Sequence, residues 1–166
     1  PSPANFKGMP PFRRDRPRAA ADWSFLKKLR DSWKGNLIVK GVLDPADAKK
    51  IKELGIDAVY VSGHGARQLD SLPAPITQLP KIRKAVGKSY PLIFDTGVRN
   101  GEDIVKAYAS GANFVMLGRP ILYALGADGE RGLKTIIHYI SKEIQVTLAQ
   151  IGLGKISEVN ENNLIK

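Results

Sequence analysis

The 166-residue chain contains no cysteine, which removes disulfides, thiolate metal sites and cysteine nucleophiles together. No apolar run approaches the roughly 18 residues needed to cross a bilayer, and no apolar signal-peptide segment stands at the start. Acidic side chains are in short supply, 16 against 26 Lys plus Arg, for a net charge of +10. Aromatics make up only 7%; with no stacking platform and no known recognition motif, the excess of positive charge does not describe a nucleic-acid binder. What is there is ordinary for a globular domain, 43% hydrophobic and 25% charged residues. That excludes global disorder, collagen and coiled coil. A chain of this length fits one domain that buries roughly 70% of its unfolded surface.

The charge is uneven. Residues 1–34 hold nine basic side chains (Lys7, Arg13, Arg14, Arg16, Arg18, Lys27, Lys28, Arg30, Lys34) and three acidic ones (Asp15, Asp22, Asp31). Five prolines fall within residues 1–21 (Pro1, Pro3, Pro10, Pro11, Pro17), so this stretch reads as an extended basic arm or loop that can meet phosphate-bearing partners or a membrane surface. The chain opens at Pro1 rather than Met, the expectation for a processed start or a piece of a longer polypeptide.

From Asp22 on, helical and strand signals alternate. Trp23, Leu26, Leu29 and Trp33 share one helical face that Gly35 can end. Apolar strands are expected at 37–39, 58–61, 91–94 and 114–117. Between them lie helices with Ala48, Ile51 and Leu54, then Ile76, Leu79, Ile82 and Val86, facing inward, and a further helix at 102–110. Asp44-Pro45 supplies an N-cap and a first-turn proline. A last long helix carries Leu133, Ile136, Ile137, Ile140, Ile144, Leu148 and Ile151 on its apolar side. Strand-helix alternation of this kind implies parallel strands with helical crossovers.

An internal echo runs at an offset of 56 residues: Gly41 answers Gly97, Asp47 answers Asp103, Lys50 answers Lys106, Gly55 answers Gly111 and Val59 answers Val115. Paired βα units occur in barrels and in some doubly wound sheets, so the echo by itself favours neither. A full eightfold barrel takes about 250 residues, and four strands make half of one.

The polar residues that interrupt the apolar runs all fall at the carboxyl ends of the expected strands: Lys40, the run Ser62 to Arg67, the run Asp95 to Arg99, and Gly118-Arg119. Ligands of α/β sheets and barrels bind at that edge. In Leu117-Gly118-Arg119-Pro120 a glycine admits a ligand to the backbone, Pro120 presets a short helix, and the free amides and Arg119 face an anion. Asp95-Thr96-Gly97-Val98-Arg99 repeats the arrangement one strand away, with Arg99 as a fork-shaped donor. Together the two turns describe a phosphate cradle. His64, between Gly63 and Gly65 just past a buried strand, has the exposure of a proton acceptor, and Arg67 stands three residues on to hold a substrate carboxylate. His138 falls mid-helix with no polar cluster around it. No metal site is expected.

The runs Ser62-Gly63-His64-Gly65-Ala66-Arg67-Gln68-Leu69-Asp70, Phe94-Asp95-Thr96-Gly97-Val98-Arg99-Asn100-Gly101 and Leu117-Gly118-Arg119-Pro120 resemble the C-terminal half of the FMN-dependent 2-hydroxy-acid oxidases and dehydrogenases. That family includes glycolate oxidase, lactate oxidase, flavocytochrome b2 and mandelate dehydrogenase. The resemblance covers Asp22 to the C-terminus. It implies strands 5 to 8 of a (β/α)8 barrel with FMN at the carboxyl face, residues 22–166 forming the half-barrel behind the 1–21 arm. It further implies that Lys40 contacts the flavin N1/O2 edge and stabilises the anionic reduced ring, that His64 is the base for a small L-2-hydroxy acid of lactate or glycolate type, and that Arg67 binds its carboxylate. Ser62, Asp95, Gly97 and Arg99 would hold the ribityl chain and phosphate, with Gly118 and Arg119 completing the phosphate site.

The sequence departs from the family pattern where Gly63 replaces the usual Asn, and where Ala66 and Thr96 replace common glycines. In the family the first four strands supply the other flavin wall, a substrate-binding tyrosine pair and the aspartate that orients the histidine; residues 1–21 correspond to a variable loop that in some relatives meets a membrane. The resemblance therefore implies an oxidoreductase fragment, cytoplasmic or peripheral to a membrane, that pairs with a missing N-terminal half-barrel or with itself to cover its open sheet edges. The alternative is a catalytically incomplete half-barrel that only binds FMN or phosphate.

Overall fold

The computed structural model describes residues 22–67 and 69–164; the proline-rich arm at 1–21 and Gln68 lie outside them. The chain divides into two units, residues 1–34 and 35–166. The first contributes α1 (Trp23–Ser32), whose start is fixed by the Asp22 carboxylate accepting from the Phe25 amide, an N-cap that satisfies an otherwise orphaned donor.

The second unit is built on a four-stranded sheet. Its strands are β1 (Ile38–Val42), β2 (Ala58–Val61), β3 (Leu92–Phe94) and β4 (Phe114–Val115), and its helices are α2 (Pro45–Glu53), α3 (Pro75–Val86), α4 (Gly101–Ala109) and α5 (Arg119–Gln150). All three strand pairings are parallel, and the spatial order is β1-β2-β3-β4. Because parallel crossovers are right-handed, strands laid down in sequential order carry their connecting helices on one face, and the order never reverses. This is the winding that closes into barrels, not the doubly wound pattern with a switch point. The 56-residue echo is therefore a repeat within a singly wound sheet. Its partners share backbone conformation: Gly41 and Gly97 stand at φ +92° and +98°, and Asp44 and Asn100, also 56 apart, each cap the helix that follows.

The core lies between the sheet and its helices. Val59, Val61, Leu92 and Phe94 from β2 and β3 pack with Ala48 and Ile51 of α2, and with Leu79, Ile82 and Val86 of α3; all are buried. The expected inward faces hold with exceptions at their ends. Ile76 is exposed in the first turn of α3, and on α5 Ile140 and Leu148 are buried while Ile137 and Ile151 are exposed. Ile137 follows Ile136 by one residue, hence 100° round the helix. As expected, a short helix opens at Arg119-Pro120 ahead of the long one; within α5 the non-helical backbone of Asp128 and Gly129 separates the two.

The amino-terminal ends of the strands are tied by Arg83. From α3 its half-buried guanidinium donates to the carbonyls of Gly87, Tyr90 and Gly111 and to the Asn113 side chain, and burial lowers its pKa. Gly111, at φ +107°, brings its backbone so close that a Cβ would meet Arg83 Cγ at 2.8 Å. Polar closure at this end leaves the opposite, carboxyl end of the sheet for ligand chemistry.

Candidate functional site

At the carboxyl ends of the strands lies a cleft of about 460 Å³, lined by His64, Gly65, Arg67, Asp95, Thr96, Gly97, Val98, Arg99, Met116, Gly118, Arg119 and Leu122. This is a volume typical of small-molecule sites. The loops after β2, β3 and β4 all contribute. The residues expected from sequence at 64, 67, 95, 97, 99, 118 and 119 therefore share one cavity, although they come from three separated runs. Lys40 and Ser62 stand behind this lining and reach it through Asp95.

Asp95 is the hub. Its Oδ1 accepts from the Thr96 hydroxyl at 2.7 Å and its Oδ2 from the Tyr60 hydroxyl at 2.8 Å, and Lys40 Nζ pairs with it at 3.4 Å. Ser62, only 1% exposed, also accepts from Lys40 Nζ at 2.8 Å and from the His64 amide at 3.1 Å. Lys40 Nζ lies 4.6 Å from the centroid of the Tyr60 ring, within the range of a cation–π contact. A carboxylate with four acceptor positions is thus engaged by Thr96, Tyr60 and Lys40. It holds the ammonium of Lys40, which is the middle residue of β1 rather than the last one expected from sequence, because the strand runs on to Val42. Burial works against the charge on Asp95, but the hydroxyls of Ser62, Thr96 and Tyr60 and the charge of Lys40 outweigh it, and the carboxyl is held below its ordinary value of 3.8. Burial, then the hydrogen bond and charge of Asp95, push the Tyr60 hydroxyl up, so it remains a donor.

A depressed native pKa means that ionised Asp95 stabilises the fold above the unfolded value, and that this contribution is lost as the pH falls below 3.8 through the lower native value. Replacing Asp95 with Asn should cost about 1.5–3 kcal/mol at pH 7, the range for hydrogen bonds to a charged group. The gap between variant and parent should close as melts are repeated at successively lower pH below 3.8; a gap that stays constant with pH would exclude the linkage.

Tyr60 was not expected at the site from sequence. The signal was available as one polar ring within the strand Ala58-Val59-Tyr60-Val61, whose other three residues are buried. Thr96 belonged to an expected motif but had no assigned role.

The two glycine-arginine turns expected to cradle a phosphate open onto the same cleft. Gly97 and Gly118 line the cleft, and a Cβ on either would meet nothing within 4 Å, so a ligand can come up to the backbone at both turns. Gly118 caps α5 with no side-chain hydrogen bond, and Pro120 follows within the first turn; the first amides of a helix have no intrahelical partner and favour an anion. Arg99 and Arg119 line the same cavity. The Arg99 amide is bonded to Asp103 at 2.8 Å, which anchors its backbone. Two guanidinium forks, free amides and two bare backbone approaches fit a phosphate monoester such as that of FMN. His138 is exposed on α5, with the Tyr139 ring edge-on at 6.0 Å.

A singly wound parallel α/β sheet with a cleft lined by His64 and three arginines at its carboxyl edge is the architecture of barrel-type α/β proteins. The family model for FMN-dependent dehydrogenases matches residues 3–166, and the chain belongs to that family, whose cofactor is FMN. It is 46% identical over 142 residues to an L-lactate dehydrogenase of Caulobacter vibrioides, covering 86% of this chain and 37% of that protein. It is 40% identical over 144 residues to the L-lactate dehydrogenase of Pseudomonas syringae pv. syringae, covering 87% and 38%. Among solved structures, a soluble mutant of the membrane-associated (S)-mandelate dehydrogenase from Pseudomonas putida superposes with a TM-score of 0.83 at 41% identity, covering 87% of this chain and 41% of that one. A mandelate oxidase bound to (S)-4-hydroxymandelic acid superposes at 0.79 and 31% identity, covering 84% and 39%. The chain thus spans about two fifths of the length of these relatives. Among the described residues no helix is long and apolar enough to cross a membrane.

Proposed function

We propose that this chain is the FMN-binding and histidine-bearing half, strands 5 to 8, of a (β/α)8 enzyme that oxidises a small L-2-hydroxy acid to the 2-oxo acid. The observation that carries the reading is the convergence of His64, Arg67, Arg99 and Arg119 on one cleft. FMN, when bound, supplies the two-electron acceptor. Arg99, Arg119 and the amides at Gly118 hold its phosphate, with Asp95 and Gly97 beside its ribityl chain. Arg67 holds the substrate carboxylate bidentately and so fixes the reacting carbon next to His64, whose imidazole takes up the proton lost in the oxidation. Lys40, braced by Asp95 and Ser62, places a positive charge where the reduced cofactor is anionic. The basic, proline-rich composition of residues 1–21 suits contact with an anionic membrane surface.

The second reading, a half-barrel that binds FMN or phosphate without turnover, is favoured for the isolated chain by its open edges. Among the described residues β1 and β4 each pair on one side only, and Ile38 on β1, Phe114 on β4 and Met116 just past it are 46%, 58% and 42% exposed. Unpaired edges and bare apolar side chains drive self-association or pairing with a complementary half. Sedimentation of the isolated chain should show dimers or larger species, and addition of the missing strands should convert it to a yellow protein bleached by lactate, glycolate or mandelate. A yellow protein that none of the three bleaches would establish the second reading; a sharp monomeric boundary with cooperative melting would contradict the half-barrel.

A further inference from the structure

We propose that Thr96 is a positioning residue that holds the His64 turn in a strained, left-handed conformation from the neighbouring strand. The proposal rests on the reading of His64 as the proton acceptor. Three consecutive residues of that turn have positive φ: His64 at 53°, Gly65 at 67° and Ala66 at 60°. Only one is glycine, and L side chains in this region cost of order 1 kcal/mol each unless the surroundings enforce them. Thr96 is itself at φ +75°, a clear outlier for a β-branched residue. Two strained segments on adjacent strands therefore face each other across the cleft.

The Thr96 hydroxyl joins them. Its Oγ1 accepts from the Gly63 amide at 3.1 Å and from the Gly65 amide at 3.3 Å, and it donates to Asp95 Oδ1 at 2.7 Å. The two amides flank His64, so one oxygen pins the backbone on either side of the imidazole. The donated proton goes to the same carboxylate that holds Lys40, so the hydroxyl's direction is set by an ionised acceptor. Steric fit points the same way. A Cβ at Gly63 would lie in ordinary contact with the Thr96 methyl, at 3.6 Å, and tightly against Pro75 Cγ, at 3.1 Å, so the turn lies packed against Thr96. Among the described residues no other side chain bonds the Gly63 or Gly65 amide; the turn's own bonds run from the His64 amide to Ser62 Oγ and from the Ala66 and Arg67 amides to the Gly63 and His64 carbonyls. The strain at Thr96 is the cost of aiming its hydroxyl at those amides.

Three variants test this. Thr96→Val keeps the shape and removes the hydroxyl; Thr96→Ser keeps the hydroxyl and removes the methyl; Thr96→Gly removes the hydroxyl together with the backbone strain, and therefore folds even if the valine variant does not. In the 166-residue chain, residue-resolved amide exchange at Gly63 and Gly65 should speed up by roughly threefold to tenfold in Thr96→Val and Thr96→Gly, the worth of one hydrogen bond. Amides of β2 and β3 should be unchanged, and Thr96→Ser should return to the parent rate. In the holoenzyme kcat should fall by about tenfold in the first two variants, with FMN affinity within about threefold, and recover in Thr96→Ser. Unchanged exchange at Gly63 and Gly65, a serine variant that behaves like valine, or faster exchange with an unaltered kcat would each overturn the positioning role. Should His64→Ala retain flavin reduction, the reading of His64 fails, and the exchange result still reports independently on whether Thr96 holds the turn.

Discussion

Replacing Arg99 and Arg119 together by alanine is expected to weaken FMN binding by a factor of about 10² to 10⁴, measured by quenching of the flavin fluorescence in a polypeptide restored to a whole ring of strands. Each guanidinium lines the cleft from a different turn, and a charge-assisted hydrogen bond in a partly sheltered site is worth about 1.5–3 kcal/mol. Lysine at either position keeps the charge but loses the planar fork, so single Arg→Lys variants should fall between the parent and the corresponding alanine variants. Lys134→Ala serves as the control for bulk charge. That ammonium is exposed and pairs with Glu130 on the same helix at 2.6 Å, away from the cleft, and its loss should leave the affinity unchanged. If the double variant binds FMN as tightly as the parent, or if Lys134→Ala weakens binding equally, the cradle is not where the phosphate sits. Binding should also weaken with salt, since two cations meet one anion at an open surface.

The second large effect belongs to His64. In the same restored polypeptide, His64→Ala should slow anaerobic bleaching of the flavin by the hydroxy acid by about 10² to 10⁴, the usual contribution of a positioned proton acceptor, while FMN stays bound. Separating reduction from retention matters because His64 and the phosphate cradle share one cavity, and a variant that merely disordered the cleft would lose both. His138→Ala is the matched control: that ring is exposed on α5 beside Tyr139, and removing it should change neither reduction nor binding. Parent-like bleaching in His64→Ala would remove the assignment. Substituting Arg67 should act differently, raising KM for the acid more than it lowers kcat, because a carboxylate clamp acts on the ground state as well as on the transition state.

Much of this arrangement was legible in the chain as written. The strands near 58, 91 and 114 and the helices between them follow from apolar spacing, and the caps at Asp44 and Asn100 lie where short polar side chains precede a helical run. The expectation that polar residues cluster at the strands' carboxyl ends is met by the cleft. Other features were not legible. Tyr60 looked like one more strand aromatic until its hydroxyl met Asp95, 35 residues away. Thr96 read as a small turn residue, and its positive φ with the three bonds of its hydroxyl appears only when β2 and β3 lie side by side.

What the amino-acid order determined by itself was local: which segments become helix or strand, where each stops, and that glycine-arginine turns and a glycine-flanked histidine wait at successive strand ends. Those properties depend on contacts within a few residues, and periodicity and capping report them. The tertiary structure alone decided that the sheet is wound in one sense, that Asp95 gathers Lys40, Tyr60 and Thr96, and that two arginines 20 positions apart open onto one cavity. Such pairings are set by the register between parallel strands, which brings together groups whose separation along the chain is bridged by a whole helix, and no local pattern encodes that distance.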